Sequence, residues 1–391
     1  MNRRLLLVCA CICLFFSSAA GSDKEAVVFR PQSEGDCTLV YEQGIPILTL
    51  CGSPETMGHA QGHFMKDQVE AMYQQFMKPA SNMAGGMPNL QASAMKMEKQ
   101  IPERFRQELK ALSEASGQAY ELLITANAFP DVYRNGGCST LAVMGSASKE
   151  GNPLLARNLD FFTLTVLETY GIVIVYKPEG YNAFVSVTWP SLTGVLSGMN
   201  EKGLCCAVME VRTGKRSNEG MPSTFLFRKV MEEAGSVEEG LWILKNAQSV
   251  ASNNLMLIDV SGAATVAELG PGYFEVRQPE EGVLYSTNHH RHAPNLLHPC
   301  ARFDRLNAFT KKHHGELDLS LLKKALDEVN QGGITVQSMV FEPVELGLHL
   351  SMGVLPATRG TYSALSFKGK LCKSLMPSKA GIREKEKTDS Q

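Results

Sequence analysis

The chain changes texture at Gly136–Gly137–Cys138. Upstream, one short hairpin over residues 38–51 is followed by apolar residues at helical spacing, in "ETMGHAQGHFMKDQVEAMYQQFM" and "IPERFRQELKALSEASGQAYELLITANAF". A polar, Met-rich stretch over 81–98 separates them, broken at "AGGMP". Downstream, hairpins follow one another: "CSTLAVMGSASKEGNPLLARNLDF" with a polar turn at 145–152, "GIVIVYKPEGYNAFVSVTW", and "TGVLSGMNEKGLCCAVMEV" turning at "NEKG". Helical pairs lie over 224–248 and in "CARFDRLNAFTKKHHG" with "SLLKKALDEVNQ"; strands return in "NNLMLIDVSGAATVAELGPGYFEVRQ" and "VQSMVFEPVELGLHLSMG". Antiparallel strands alternating with helix pairs predict a layered α+β fold, two sheets covered by helices.

Composition narrows the class. With 391 residues, 44% hydrophobic and 20% charged, the chain is globular and long enough for a large core. A formal net charge of -2 gives no basic field, so nucleic acid is not an expected partner. The start, "MNRRLLLVCACICLFFSSAAGS", has Arg3 and Arg4, an apolar run from Leu5 to Phe16, then small residues. This is a secretory signal peptide with cleavage after Ala20, and it is shorter than the roughly 20 apolar residues a bilayer span takes. The expected mature protein is exported, secreted or periplasmic/lumenal, without stable membrane insertion. Removing the leader leaves Cys37, Cys51, Cys138, Cys205, Cys206, Cys300 and Cys372, an odd number. Cys37 and Cys51 flank the first hairpin, and export permits a disulfide there; a bridge and two free thiols both stay open.

Cys138 carries the chemistry that the rest must explain. A thiol is the most nucleophilic side chain near neutral pH, and nearby positive charge favours its thiolate. Arg157 and Asp160, in "ARNLDF", lie one hairpin downstream, so the returning strand brings them beside the cysteine. The plainer alternative is an exposed Arg–Asp pair of little energetic consequence. Two glycines before the cysteine permit backbone shapes closed to other residues, and two readings stay open: a plain turn into a strand with a small buried cysteine, or a Gly137–Cys138 bond held strained for attack by the thiol. Asn200 in "MNEKG" suits a turn and Asn288 in "TNHH" suits a helix cap.

In order, "CST", "ARNLDF", "SGMNEKGL" and "YSTNHH" resemble the N-terminal nucleophile (Ntn) hydrolases of linear amides. The set is similar to bile salt hydrolases, acid ceramidase and, most closely, the acyl-CoA:6-aminopenicillanic acid acyltransferase group. "GSPETMGHAQG" and "ELKALSEASGQAYELLITAN" resemble that group's proregion, and "VQSMVFEPVELGLHLSMGVLPATRGTY" its C-terminal part. The resemblance implies a four-layer αββα sandwich with a mainly helical proregion. Between the signal peptide at 1–20 and a tail at 376–391 that is charged, nearly free of apolar residues and so expected to be disordered, it divides the chain into a proregion at 21–137 and a catalytic core at 138–375. It implies that Cys138 becomes N-terminal by cleaving the Gly137–Cys138 bond, and that its freed α-amine serves as base for its own thiol. Asp160 would hold that amine and Arg157 would sit beside the thiol. Asn200 and Asn288 would face the tetrahedral intermediate, and Arg302 would lie near the site. Ser139–Thr140 in place of Thr–Ser, a longer loop between Cys138 and Arg157, and Ala301 depart from the family pattern, which argues against carrying over ceramide or bile salt specificity.

The expected activity is hydrolysis or acyl transfer of a small-molecule N-acyl amide through a Cys138 thioester. Acyl-CoA enters only through the acyltransferase branch, and an exported protein meets little of it. No metal or organic cofactor is expected. Two other readings stay open: a papain-like thiol hydrolase, with a base from the loop carrying His289, His290, His292 and His298, and a catalytically silent exported binding protein of the same fold. The same histidines could be read as a metal site, but no carboxylate or cysteine spacing completes one.

Overall fold

The computed structural model describes residues 28–292 and 299–371, so the signal peptide, His298, Cys372 and the charged tail lie outside the described residues. The chain opens with a meander of β1 (Gln32–Glu34), β2 (Cys37–Glu42) and β3 (Ile45–Gly52). Its tight turn places Gln43 at φ 47 and Gly44 at φ 81. A left-handed glutamine is unusual, and both ends of its side-chain amide are bonded to the backbone of Ala364, at 2.8 and 2.9 Å.

Helices α1 (Pro54–Phe64), α2 (Lys66–Ala71), α3 (Lys78–Met83), α4 (Met87–Met97), α5 (Glu103–Ser116) and α6 (Tyr120–Val132) follow. A π-helical turn, Met72–Met77, joins α2 to α3. Ser53 caps α1 by accepting from the Thr56 N–H, with Pro54 just inside. The two glycines of "GHAQG" are there for space. A Cβ on Gly58 would collide with the Glu108 carbonyl, and one on Gly62 would come within 2.6 Å of the Leu112 carbonyl. That lets α1 lie directly against α5.

Past residue 137 come β4 (Gly137–Val143), β5 (Leu154–Asp160), β6 (Ile172–Pro178), β7 (Phe184–Thr188), β8 (Ser197–Asn200) and β9 (Cys205–Glu210). Next are α7 (Ser223–Glu233), α8 (Val237–Lys245), β10 (Asn253–Ile258), β11 (Ala264–Gly270), β12 (Tyr273–Arg277) and β13 (Val283–Ser286). The described chain ends with α9 (Ala301–Lys312), α10 (Leu319–Glu328), β14 (Thr335–Glu342), β15 (Gly347–Met352) and β16 (Ser363–Ser366).

One sheet runs β1-β2-β3-β6-β7-β8-β9-β10-β11-β12, and the other β13-β4-β5-β14-β15-β16. Neighbours are antiparallel except β3 with β6. Successive side chains on a strand point to opposite faces, and here both faces are buried. Ile172 and Ile174 pack with Leu112 and Phe225 on the helical side, whereas Val173 and Val175 join Leu155, Met339 and Phe341 between the sheets. On the second sheet, Leu154 and Ala156 face Leu306, Phe309 and Leu326 of α9 and α10. Helices, sheet, sheet, helices: this is the expected four-layer αββα sandwich.

The hairpins and helices expected downstream of Cys138 form over the stretches read from the sequence. The Met-rich stretch does not stay irregular: α4 forms past "AGG", burying Leu90, Ala94 and Met97. Cys37 and Cys51 are both free thiols. The register sets Thr38 opposite Thr49, so Cys37 faces Leu50 and Cys51 lies one residue further along. Adjacent strand positions point to opposite faces, and the Cys37 sulfur instead accepts from the Cys51 backbone N–H at 3.3 Å.

A buried ion cluster ties the helical section to the rest. Arg228 on α7 donates to both oxygens of Glu108 on α5, at 2.8 and 2.6 Å, and to Glu232 at 2.9 Å. Phe105 and Tyr176 flank its guanidinium at 4.6 Å. Removing one partner of such a pair strands a charge in the core. Glu108→Ala should lower unfolding free energy by about 3–5 kcal/mol in a urea titration. Glu103→Ala, which breaks only the outer pair with Arg106, should cost under ~1 kcal/mol.

Candidate active site

Cys138 is the second residue of β4 and is buried at 6% exposure. Across the β4–β5 ladder, Gly137 pairs with Asp160, Cys138 with Leu159 and Thr140 with Arg157. One hairpin therefore delivers the thiol, the cation and the carboxylate to one place. Arg157 Nη2 lies 3.4 Å from the Cys138 sulfur, while Nη1 donates to the carbonyls of Val208 at 2.6 Å and Leu196 at 3.1 Å. Asp160 is fully buried; its two oxygens accept from Thr335 Oγ1 at 2.6 Å and Gln331 Nε2 at 2.5 Å.

A third strand end and a helix close the group. Asn288, between β13 and α9, accepts the Cys138 backbone N–H on Oδ1 at 2.8 Å and donates from Nδ2 to the Glu210 carbonyl at 2.8 Å. Its loop is hung on two buried residues. Glu268 accepts the N–H groups of Arg291 and His292, and Asn254 donates to the carbonyls of Thr287 and His289. Arg302, in the first turn of α9, donates to Asn288 Oδ1 at 2.8 Å, to Ser139 Oγ at 2.9 Å and to the Cys138 carbonyl. Its Nη1 is 3.9 Å from Asp160.

Electrostatics around the sulfur pull both ways. Burial pushes the Cys138 thiol above its ordinary value. The Arg157 guanidinium opposes this, the Asp160 charge adds to it, and the Asp160 N–H and Arg302 draw it down again. Burial also raises the Asp160 carboxyl, against the bonds from Thr335 and Gln331 and the charges of Arg302 and Arg157.

Two expectations need correcting. Asn200 is not at the site. Its Nδ2 donates to the carbonyls of Met231 and Ala234, and its Oδ1 accepts from the N–H groups of Lys202 and Leu204. Its oxygen is spent on the β8–β9 turn and both its N–H donors on the end of α7, so it ties that turn to α7 and carries no free donor for an oxyanion. The Gly136–Gly137 backbone is not in the left-handed region. Gly137 sits in regular antiparallel pairing, and what demands glycine is room: a Cβ there would collide with Gln331 Nε2, and one on Gly136 would press on Glu210 and Phe161 at 3.1 and 3.2 Å. Asn288 is at the site but caps no helix, and its amide oxygen, not its N–H, faces Cys138.

The histidines stand apart. His290 stacks on Tyr273 at 4.8 Å between ring centres, and His292 lies 3.4 Å from Glu275. No described histidine lines the cavity beside Cys138, so that cavity offers no base for a Cys–His pair. Among the described residues, no three His, Cys, Asp or Glu side chains gather as a metal site would require. No described helix is long and apolar enough to cross a membrane.

The cavity holds about 110 Å³ and opens on the sulfur. Its walls are Met72, Phe76 and Met77 of the π turn, Phe129 of α6, Phe161 and Leu167 of the loop after β5, and Trp189 and Leu192. Trp189 Nε1 donates to the Leu167 carbonyl at 2.7 Å, fixing that loop. Asn127, in "TANAF", holds the opposite rim through the N–H groups of Thr193 and Gly194, both at 2.9 Å. Glu210 closes the polar end, accepting from the Gly136 N–H at 3.1 Å. Burial raises its carboxyl, against Arg134. Sequence reading passed over Glu210, Gln331 and Thr335. A carboxylate ending the otherwise apolar strand "CCAVME" was the one available signal.

Residues 147–316, less than half of the chain, match the family described as acyl-coenzyme A:6-aminopenicillanic acid acyl-transferase. Arg157, Asp160, Asn288 and Arg302 fall within that stretch. Protein dcd1B of Dictyostelium discoideum is 28% identical over 280 residues, covering 61% of this chain and 55% of that protein. Protein dcd1A of the same organism is 25% identical over 297 residues, covering 64% and 67%. This chain's match thus spans about half the length of the first relative. A solved N-acylethanolamine-hydrolyzing acid amidase ortholog of Caenorhabditis elegans aligns at a TM-score of 0.45 and 17% identity, over 53% of this chain and 93% of that one. The family match agrees with the resemblance that the motifs bear to the acyl-CoA:6-aminopenicillanic acid acyltransferase group.

The correction at Asn200 has a direct check. Asn200→Ala should cost about 1–3 kcal/mol of stability through its unmet turn partners. Any self-cleavage at Gly137 that wild-type protein shows by mass spectrometry should persist in the folded fraction within about threefold. A loss of 10²-fold or more, the usual result of deleting an oxyanion donor, would restore the catalytic role.

Proposed function

We propose that this chain is an exported, self-processing cysteine hydrolase of linear N-acyl amides, with acyl transfer to an amine as its side reaction. One observation carries the reading: the sulfur of Cys138 lies beside Arg157 and an apolar cavity, while the backbone nitrogen of the same residue is held by Asn288. Freeing that nitrogen puts base and nucleophile on one residue.

Processing runs first. The Cys138 sulfur bonds to the Gly137 carbonyl carbon, the Gly137–Cys138 C–N bond breaks, and the nitrogen takes the thiol proton. Water then cleaves the thioester, leaving a Gly137 carboxylate, a free thiol and a primary amine on Cys138. An α-amine titrates near about 8, so at neutral pH a useful fraction is neutral and able to accept a proton. In turnover that amine takes the thiol proton, the thiolate attacks the substrate carbonyl, and the proton passes to the departing amine. Water, or an acceptor amine, releases the acyl group from sulfur. Arg157 favours the thiolate and Asp160 steadies the ammonium formed on the base. The apolar cavity suits the acyl chain, since transfer of each buried CH₂ is favourable by about 0.8 kcal/mol.

Denaturing electrophoresis with mass spectrometry tests this. The purified protein should yield one piece ending at Gly137 and one beginning at Cys138, and Cys138→Ala should stay whole. Incubated with a series of N-acyl amides, the processed enzyme should show an acyl adduct on Cys138. A folded wild-type chain that stays intact and cleaves no amide overturns the proposal. CoA-thioester turnover outpacing amide cleavage would reverse the preference for hydrolysis.

A further inference from the structure

The ladder between β5 and β14 slips at one place. Gln337 pairs with Leu159, yet Thr335 pairs with Asp160, so Val336 is an extra residue. Bulges of this kind re-aim a side chain. This one sets the Thr335 hydroxyl 2.6 Å from Asp160 Oδ1. The same hydroxyl accepts the Gln331 backbone N–H at 2.8 Å, and the Gln331 side chain returns to Asp160 Oδ2 at 2.5 Å. Gln331 Nε2 also occupies the space a Cβ on Gly137 would need. Thr335 and Asp160 are fully buried.

We propose that Gln331 and Thr335 are positioning residues, which keep the Asp160 carboxylate ionised and turned toward the amine that cleavage frees on Cys138. This rests on the self-processing reading above. A carboxylate has about four lone-pair sites; two are filled by Thr335 and Gln331, and two are left for the amine. The charged and titratable groups around Asp160 are Cys138 on β4, Arg157 on β5, Arg302 on α9 and, across the cavity, Glu210 on β9. None of them replaces the two neutral donors, because both arginines spend their nearest hydrogens on Cys138, Ser139, Asn288 or backbone carbonyls. The arrangement also gives Gly137 a second duty. A side chain there displaces Gln331 and so disturbs Asp160, but only until Gly137 is cut away.

Two measurements separate this from the function itself. In the Cys138→Ala chain, which cannot process, the Asp160 carboxyl is titrated by infrared difference spectroscopy with Asp160→Asn as the blank. Thr335→Val and Gln331→Leu should each move the titration up by about one pH unit, the worth of one hydrogen bond to a charged group. Thr335→Ser should restore it. In processed enzyme, the acid limb of kcat/KM for an N-acyl amide should move up with the same variants. Gly137→Ala should slow processing at least tenfold. An unmoved Asp160 titration in both Thr335→Val and Gln331→Leu overturns the inference. A wild-type chain that neither processes nor cleaves amides sinks the functional reading, and the infrared titration still decides this one.

Discussion

A guanidinium held between two sheets sets the terms for everything around it. Arg157 rises from β5 and reaches the carbonyls of Val208 and Leu196 in the facing layer with one nitrogen, leaving the other for sulfur. Taking such an ion out of water costs several kcal/mol. Two carbonyl dipoles offset part of that cost, and among the described residues no carboxylate forms an ion pair with it. The remaining field falls on the Cys138 sulfur. A thiolate there completes a pair that the neutral thiol leaves unbalanced, so the same residue that bridges the sheets biases the nucleophile.

The cut proposed at Gly137–Cys138 falls inside continuous packing. β3 lies upstream of it and pairs along six residues with β6 downstream. The π turn and α6, also upstream, form one side of the cavity that opens on the sulfur. Glu108 and Arg228 pair across the same divide. The proposed cut would therefore free an amine without separating the surfaces that make the pocket. Arg134, three residues before the cut, donates to the carbonyls of Pro130, Val211 and Ser252. Only the short stretch beyond that anchor has to move aside.

Much of this was legible in the sequence, for reasons that differ by element. The unbroken β-branched run in "GIVIVY" and the polar turn at 145–152 specify strands by local chemistry, and the β4–β5 hairpin fixes Cys138, Arg157 and Asp160 as neighbours by register alone. What could not be read depends on distant partners. Asn200 looks the same in a motif whether it bonds an oxyanion or the end of α7, and only the position of Met231 and Ala234 decides. Thr335 reaches Asp160 through a one-residue slip that no periodicity announces. Cys37 and Cys51 miss each other by a single step of register. At Gly137 the sequence signals glycine, but not whether a left-handed backbone or the neighbouring Gln331 side chain is the cause.

The charges at the site are held against stability. Asp131, Asp160 and Glu210 all line the cavity, and burial is the largest influence on each, raising its pKa. A carboxyl whose folded pKa exceeds its unfolded value, about 4, binds more protons folded than unfolded between the two. Its contribution to stability is then full below the unfolded value and is lost as pH rises through the folded one. Holding these groups charged works against the fold, and the compensation differs among them. Asp131 accepts one N–H, from Ser223 at the start of α7, and Glu210 accepts one from Gly136. Each of the three also lies near two arginines, Arg134 and Arg216 for Asp131, Arg134 and Arg212 for Glu210, Arg302 and Arg157 for Asp160, but Asp160 adds two neutral side-chain donors, Thr335 and Gln331. Neutral donors hold a carboxylate in place without cancelling its charge, which is what the proposed role of Asp160 would require.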